Sequence, residues 1–219
     1  MRNVNYTKHE FFYFERPHLV CNKLRYAFII YNCSMDDGSE FSVSPVLDST
    51  LKPIQLHEYT TEFDTRYQQE QNRITEKLGQ LDMHHVGSTA VPGLSGKGIV
   101  DILVGLDDYS AVNGAAAKLN ELGYITQFID PEDEWTFLKS KVHSGLGDYH
   151  IHIHRKGNKD YQEMLLFRDY LRNNTEEAKR YAELKKARLE QSQGDRIQFT
   201  NLKTDYVQGI LQKAGANNP

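Results

Sequence analysis

The stretch from His84 to Leu106 constrains the fold of this chain more than any other part of its sequence. It joins two apolar runs through a Gly-Ser turn, several further glycines, a proline and one lysine, and its second run encloses an aspartate. Glycine and proline both interrupt helices and strands, so no single element accommodates this composition. The stretch therefore predicts a strand, an irregular turn and a second strand, around which the rest of the chain is organised.

The hydrophobic pattern elsewhere predicts a mixed sheet with helices packed against it. Helices are predicted where apolar residues recur with helical spacing, and strands where they alternate or run together. The predicted helices are Thr65–Leu78, Ala111–Leu122, Lys159–Asn173, Glu176–Gln191 and Asn201–Ala214, with Ser110 and Thr175 as N-caps; the predicted strands are Met83–Val86, Ile99–Val104, Tyr124–Ile129, Trp135–Lys141 and Tyr149–His154. This order is typical of the α/β or α+β class, with a helical C-terminal tail.

Residues 1–52 differ from the rest of the chain. They carry aromatic and β-branched runs around the turn signal Asp36-Asp37-Gly38, which predicts a small β-rich N-terminal extension. Such an extension serves as a packing appendage or as a contact in an oligomer. Residues 53–219 are predicted to form the domain that carries the functional site.

The overall charge argues against a protein that coats nucleic acid. The formal net charge is −4 and the pI is about 6.1, so binding is expected to depend on a local cleft. Cys21 and Cys33 are the two cysteines, which is too few for a disulfide framework or a cysteine-type zinc site. No signal-peptide core or membrane-length apolar run is present in the sequence, so we predict a cytoplasmic protein that does not bind membranes.

The turn at Gly87-Ser88-Thr89 is a candidate anion site. It follows a predicted strand, and its backbone N–H groups and two hydroxyls suit a phosphate that approaches the glycine closely. His85 borders the turn and is a further candidate, whereas His84 is not. The alternative interpretation is an ordinary helix cap.

Asp101 lies inside the apolar run from Ile99 to Val104, where an ionised carboxylate is costly unless it has a partner. Lys97, between two glycines, is predicted to neutralise a phosphate. An ion pair between Lys97 and Asp101 is the structural alternative.

The same residues resemble a known family. The string His85-Val-Gly-Ser-Thr-Ala-Val-Pro-Gly-Leu-Ser-Gly-Lys97, followed by Ile99-Val-Asp-Ile102, resembles the signature of the GrpB family, which is placed in the nucleotidyltransferase (polymerase β-like) superfamily. The segments at 150–153, 166–172 and 203–205 resemble its other blocks, so the resemblance covers about Ile54 to Ala214. It implies a mixed sheet of the nucleotidyltransferase type, with the Gly-Ser turn and Asp101 bordering one cleft.

Nucleotidyltransferases of that superfamily hold metal-bound phosphates with an Asp-x-Asp pair, and Leu103 stands where the second carboxylate belongs. His150 and His152 offer a replacement, because alternate residues of a strand share one face at a spacing of about 6–7 Å. Together with Asp101 they form two imidazoles and one carboxylate, a set that suits zinc, manganese or iron better than magnesium alone. The alternative is a solvated strand face, and His154 is predicted at the exposed end of the strand.

Arg168 and Arg172 are four residues apart on a predicted helix, so both guanidiniums are candidates for binding a phosphate. The alternative is a structural network between Arg168 and Asp169. Lys185 and Lys203 are weaker candidates of the same kind.

The combined prediction is a protein that binds a nucleotide or another phosphorylated small molecule and uses a divalent metal (magnesium, manganese or zinc) for nucleotidyl transfer. Asp101, His150 and His152 are the predicted catalytic and metal-binding residues. A metal-dependent phosphohydrolase and a non-catalytic nucleotide-binding module are the alternatives.

Overall fold

The computed structural model describes residues 55–140, 148–192 and 204–215. Residues 1–52, with the predicted β-rich extension, and Lys203 lie outside this part of the chain. The described elements, in chain order, are α1 (Glu62–Leu78), β1 (Asp82–Val86), β2 (Val100–Leu106), α2 (Val112–Glu121), β3 (Tyr124–Asp130), β4 (Trp135–Ser140), β5 (Tyr149–Arg155), α3 (Lys159–Asn173), α4 (Thr175–Gln191) and α5 (Thr204–Lys213).

The five strands form one mixed sheet in the order β1-β2-β5-β4-β3. β2 and β5 are parallel, and the other three neighbouring pairs are antiparallel. The predicted α/β class, a mixed sheet flanked by helices, is therefore confirmed. β2 lies inside the sheet between β1 and β5, and its almost wholly apolar sequence fits a strand that is covered on both faces.

The two faces of the sheet have different coverings. α1 and α2 pack on one face around Ile102, Ile151 and Ile153, in the largest hydrophobic cluster. α3 covers part of the other face, where its residues pack against Val86 and Leu103. α4 and α5 pack in turn on α3. The side chains of Asp101, His150 and His152 project from the same face of the sheet as Leu103 and remain partly accessible to solvent.

Two predicted helix caps are wrong. A short 3₁₀ turn, Tyr109–Ala111, precedes α2, and its cap is Asp108, whose side chain accepts a hydrogen bond from the Ser110 amide at 2.9 Å. Thr175 already belongs to α4, and the residue before it makes no side-chain cap hydrogen bond. Both errors arise because several polar residues stand together at these ends and each one suits a cap.

A buried polar cluster joins α1 to β3. The Tyr124 hydroxyl donates to Oε1 of Glu70 at 2.5 Å, and the Arg73 guanidinium bonds to the same carboxylate. Arg73 also donates to the Leu122 carbonyl at 2.8 Å, so the cluster ties the helix to the end of α2. Glu70 is only 6 % exposed, and burial raises the pKa of the Tyr124 hydroxyl.

We expect Tyr124→Phe to lower the free energy of unfolding by about 1–3 kcal/mol, because it removes a buried hydrogen bond to a charged group. Urea unfolding measures the change. Tyr59→Phe is the matched control: its hydroxyl bonds to the exposed Asp64, so its loss should cost no more than about 0.5 kcal/mol. Equal losses in the two variants would contradict the importance of this cluster.

Across the part of the chain that the structure describes, no helix combines the length and apolarity that a membrane crossing needs.

Candidate functional site

Asp101, His150 and His152 come together where β2 and β5 lie side by side. The parallel register pairs Asp101 with His150 and Leu103 with His152, so the three polar side chains project from one face. Oδ1 of Asp101 is 3.3 Å from Nδ1 of His150 and 3.6 Å from Nε2 of His152. The predicted convergence of these residues is thus present in the structure.

The spacing of these donor atoms fits a metal ion. Ligand atoms about 2.1 Å from a tetrahedral metal ion lie roughly 3.4 Å apart. One candidate ligand atom from each residue lies within 4.8 Å of the other two, and the two distances to the carboxylate bracket the tetrahedral value. Two imidazole nitrogens and one carboxylate oxygen match the donor set of three-ligand zinc sites, which leave a coordination position open.

The protonation states also suit metal ligation. Burial acts to raise the pKa of Asp101, but hydrogen bonds from His150 and His152 outweigh it and hold the pKa well below its usual range. Burial lowers the pKa of His150, and the positive charge of Lys97 lowers it further. Lys97 therefore lies within electrostatic range of the cluster. An ionised carboxylate beside a neutral imidazole is the state that a metal ion requires.

Apolar side chains hold the two imidazoles in place. The Phe137 ring on β4 lies 5.1 Å from the His150 ring and 4.9 Å from the His152 ring, centroid to centroid. Leu103, opposite His152, is completely buried against α3. Position 103, where the second carboxylate of an Asp-x-Asp pair would stand, is therefore part of the core. A carboxylate at this position would be buried in an apolar cluster.

Gly87 leaves the space that the Asp101 carboxylate occupies. Its φ of 72° and ψ of −167° lie in a region that is essentially restricted to glycine. A Cβ at this position would lie 2.2 Å from Oδ2 of Asp101. A second glycine has a similar role, because a Cβ on Gly96 would lie 2.7 Å from the Cβ of Ser88.

Lys185 of α4 is the buried cation of the Gly-Ser turn. Its side chain is 2 % exposed, and its ammonium donates to Oγ of Ser88 at 3.0 Å and to the Ser95 carbonyl. The ammonium also lies 4.7 Å from the centroid of the Tyr181 ring, a favourable cation–π distance. The Ser88 oxygen accepts from Lys185, and among the described residues its hydroxyl donates to no acceptor, so its hydrogen can donate to a ligand.

His85 and Thr89 stabilise the turn from within. The Thr89 hydroxyl donates to the Ile99 carbonyl at 2.9 Å, so it accepts from Nε2 of His85 at 3.0 Å. The His85 ring stacks on Tyr67 at 4.9 Å, and burial lowers the pKa of the imidazole. Both side chains are buried, and their contacts connect the turn to the start of β2.

Arg168 and Arg172 share one face of α3, as their spacing predicts, and both contact the turn. Arg168 donates to the His85 carbonyl at 3.1 Å and forms an ion pair with Asp169 at 2.7 Å, so the alternative structural network is present. Arg172 donates through Nε to the Ala90 carbonyl at 2.7 Å. The contacts of both guanidiniums fix the turn backbone, and phosphate binding by either one stays a prediction.

The predicted exposure of His154 is wrong. Its side chain is 2 % exposed and stacks on the Trp135 indole at 5.8 Å, and among the described residues Nδ1 has no hydrogen-bond partner. The strand pattern identifies the face on which His154 lies but not what covers that face. Burial, together with the nearby His152, lowers the pKa of His154 to about 3.

We therefore expect His154 to make the fold less stable in acid. An unfolded histidine titrates near pH 6.5, so below that pH the unfolded chain binds a proton that the folded chain excludes. The variant His154→Phe keeps an aromatic ring in the stack but cannot bind a proton. When the pH falls from 7.5 to 5, linkage therefore predicts that the free energy of unfolding drops by about 2 kcal/mol more in wild type than in His154→Phe. Urea unfolding at the two pH values measures the difference, and the same loss in both proteins would refute it.

Sequence patterns identified Lys185 only as a weaker candidate and missed Phe137. Lys185 lies 97 positions from Ser88 and next to Lys186 on a helix rich in charged residues, so no local feature separates it from its neighbours. Phe137 has the alternation of an ordinary core residue. Each of these residues is linked to the site by a contact between segments that are distant in the sequence, which sequence patterns do not reveal.

Comparisons with known proteins identify the family of this chain. The sequence profile described as "GrpB protein" matches residues 53–213. A UPF0157 protein of Streptomyces coelicolor is 32% identical over 164 residues, which cover 74% of this chain and 85% of that protein.

Two solved structures are also similar. The crystal structure of the conserved protein GrpB from Enterococcus faecalis is 24% identical, covers 73% of this chain and 96% of that chain, and has a TM-score of 0.67. The Cid1 poly(U) polymerase with bound MgGTP is 11% identical, covers 55% of this chain and 41% of that chain, and has a TM-score of 0.41. The first of these shows the fold.

Proposed function

Because the chain belongs to the GrpB family, whose profile spans residues 53–213, we propose that it binds a divalent metal ion together with a nucleotide or another phosphorylated small molecule. The observation that carries the proposal is the convergence of Asp101, His150 and His152 beside the Gly87-Ser88 turn. The cytoplasm is the proposed location, which the low cysteine count supports.

Asp101, His150 and His152 are the proposed metal ligands. A metal ion held by them would polarise a phosphoryl oxygen or lower the pKa of a bound water. Phe137 packs against both imidazoles and restricts their rotation. Since two ligands are histidines and Leu103 replaces a second carboxylate, zinc and manganese suit the site better than magnesium.

The Gly-Ser turn and Lys185 are the proposed phosphate site. Ser88 donates its hydroxyl hydrogen, and the buried ammonium of Lys185 lies 3.0 Å behind the Ser88 oxygen. Lys97, within electrostatic range of His150, adds a second positive charge. A phosphate at the turn would thus meet hydrogen-bond donors and cations while its other oxygens face the metal ligands.

Nucleotidyl transfer is the leading reaction for this site. An acceptor hydroxyl would attack the α-phosphorus, the bond to the β-phosphate would break, and pyrophosphate would leave. Hydrolysis is the second candidate, and the set of two histidines and one aspartate favours it, because three-ligand sites of this kind commonly activate water. Transfer yields a nucleotidyl conjugate together with pyrophosphate. In hydrolysis water takes the place of the acceptor, so free phosphate or pyrophosphate is released with a shortened nucleotide or a nucleoside, and no conjugate forms.

A thermal-shift screen tests the binding proposal. The protein is melted with zinc, manganese or magnesium chloride, each alone and with nucleoside triphosphates, coenzyme A precursors or inorganic tripolyphosphate. A compound that binds the folded state raises the melting temperature by mass action. We expect a shift with zinc or manganese and a further shift with phosphate compounds. No shift with any metal would overturn the metal site, and none with any phosphate compound would overturn the anion site.

We expect Lys185→Met to weaken tripolyphosphate binding in the presence of manganese by about tenfold or more, because a charge-assisted contact at the turn is lost. Isothermal titration calorimetry measures the affinity. Lys186→Met is the matched control: its ammonium is exposed and lies 3.4 Å from Glu58, so binding should be unchanged.

Lys185 is buried, so its variant also needs a test of folding. Ser88→Ala removes only the hydroxyl that Lys185 contacts and provides a milder second variant. Weaker binding in both variants, with a folded circular dichroism spectrum, supports the proposed phosphate site. Unchanged affinity in Ser88→Ala and Lys185→Met would contradict it.

A further inference from the structure

A small cavity lies beside Gly87. Its volume is about 130 Å³, and its walls come from the end of β1, from α3 and from α5, including Val86, Met164, Phe167 and Leu211. An apolar cavity of about 150 Å³ holds a benzene ring. At a slightly smaller volume this cavity accepts at most one six-membered ring, and Gly87 is shared between it and the proposed metal site.

An acidic residue contributes to one wall of this cavity. Glu163 lines it, and the Glu163 side chain is only 12% exposed. Among the described residues its ion pair is with Lys159, at 3.5 Å and one helical turn earlier. The Lys159 side chain is 75% exposed, so it can move into water without disturbing the wall. The carboxylate therefore remains available to a ligand in an otherwise apolar cavity.

From the cavity and its carboxylate we infer that the site is selective for guanine nucleotides, with the six-membered ring of the base between α3 and α5 and its N–H edge on Glu163. An ionised carboxylate only accepts hydrogen bonds, and with two oxygens it pairs best with two adjacent N–H donors. Guanine presents such a pair at N1 and the 2-amino group. Adenine and cytosine each place a ring acceptor beside their amino group, and uracil has a single N–H between two carbonyls.

This inference rests on the proposed function and specifies its substrate class. Gly87 borders both the proposed metal site and the cavity. Its missing side chain leaves room for the Asp101 carboxylate, and the residue also lines the cavity. The inference places the phosphate of the nucleotide at Ser88 and its base next to Gly87, in the cavity. The apolar walls remove water from the base, which strengthens its hydrogen bonds to Glu163.

Binding of nucleoside triphosphates in the presence of manganese tests the inference. We expect GTP to bind at least about tenfold more tightly than ATP, CTP or inorganic tripolyphosphate, since a bidentate pair discriminates between bases by that order. Inosine triphosphate, which lacks the 2-amino group, should fall between GTP and ATP. Equal affinities for GTP and ATP, or for GTP and tripolyphosphate, would overturn the inference.

Glu163→Gln provides the decisive variant, because glutamine keeps the size of the side chain but replaces one acceptor by a donor. We expect it to lose the preference for GTP over ATP while its affinity for tripolyphosphate stays the same. Lys159→Gln removes the ion pair without changing the carboxylate and should keep the preference. A Glu163→Gln protein that still prefers GTP would contradict the role of Glu163.

The outcomes separate this inference from the proposed function. If tripolyphosphate and all nucleotides bind equally well, the phosphate site stands and the guanine site is wrong. If no phosphate compound binds, both are wrong. Calorimetry with each variant, after its melting temperature has been compared with that of wild type, distinguishes these results from a loss of folding.

Discussion

Asp101→Asn is expected to abolish metal binding while leaving the protein folded. The Asp101 carboxylate is the anion of the cluster, and its Oδ1 lies within 3.6 Å of both imidazole donors. Loss of a partner outside the ligand shell typically weakens metal binding 10- to 100-fold, so loss of a direct ligand should exceed about a hundredfold. Asparagine keeps the shape of the side chain and can still accept a hydrogen bond from one histidine, so the fold should survive.

The measurement is the metal-induced shift in melting temperature, supported by calorimetric titration with zinc and manganese. Asp82→Asn is the matched control, because Asp82 also pairs with a histidine, His84 at 2.9 Å, but lies at the other end of β1. This control should keep the metal-induced shift even if its own stability falls through the lost bond to Tyr161. A shift that persists in Asp101→Asn would show that the ion binds elsewhere.

Gly87→Ala should damage both the fold and the site. The backbone of Gly87 lies in a region where other residues cost about 1–3 kcal/mol, and the added Cβ would lie 2.2 Å from Oδ2 of Asp101. Relief of that contact requires the Asp101 carboxylate or the turn to move. We therefore expect lower stability together with loss of metal and tripolyphosphate binding.

Gly79→Ala separates strain from the steric contact. Gly79 has nearly the same backbone angles, with φ of 86° and ψ of −176°, but a Cβ there meets no atom within 4 Å. Both variants place alanine in this strained backbone conformation. The difference between the losses of unfolding free energy in the two variants therefore measures the clash with Asp101. Only Gly87→Ala should lose ligand binding, and equal behaviour of the two variants would contradict the close approach of Gly87 and Asp101.

The ligand set of the candidate metal site was predictable from sequence because each of its features is local. An aspartate within the apolar run of β2 needs a partner, whatever the fold around it. The alternation of β5 places His150 and His152 on one face, opposite the buried Ile151 and Ile153. Local chemistry therefore identified the groups that would meet.

The contacts that the sequence did not reveal all join distant segments. The burial of His154 depends on what covers the face of β5. In the sequence, Lys185 is one of several lysines on α4, and only the packing of that helix shows that it contacts Ser88. The guanidiniums of Arg168 and Arg172 were candidates for ligand binding, with a structural network of Arg168 as the alternative, and they bond to the His85 and Ala90 carbonyls on either side of the turn. Residue type and helical spacing give no information about such partners.

The sequence by itself determined which groups this protein can use: the glycine at position 87, the isolated aspartate at 101 and the paired histidines of β5. Only the tertiary structure decided that β5 lies beside β2, in the register that pairs Asp101 with His150. The physical reason is that strand register depends on how both faces of the whole sheet are buried, and a slip of one residue would turn every histidine of β5 to the opposite face. Local propensity places a side chain on a face of its strand, and the packing of the sheet places that strand beside its neighbour.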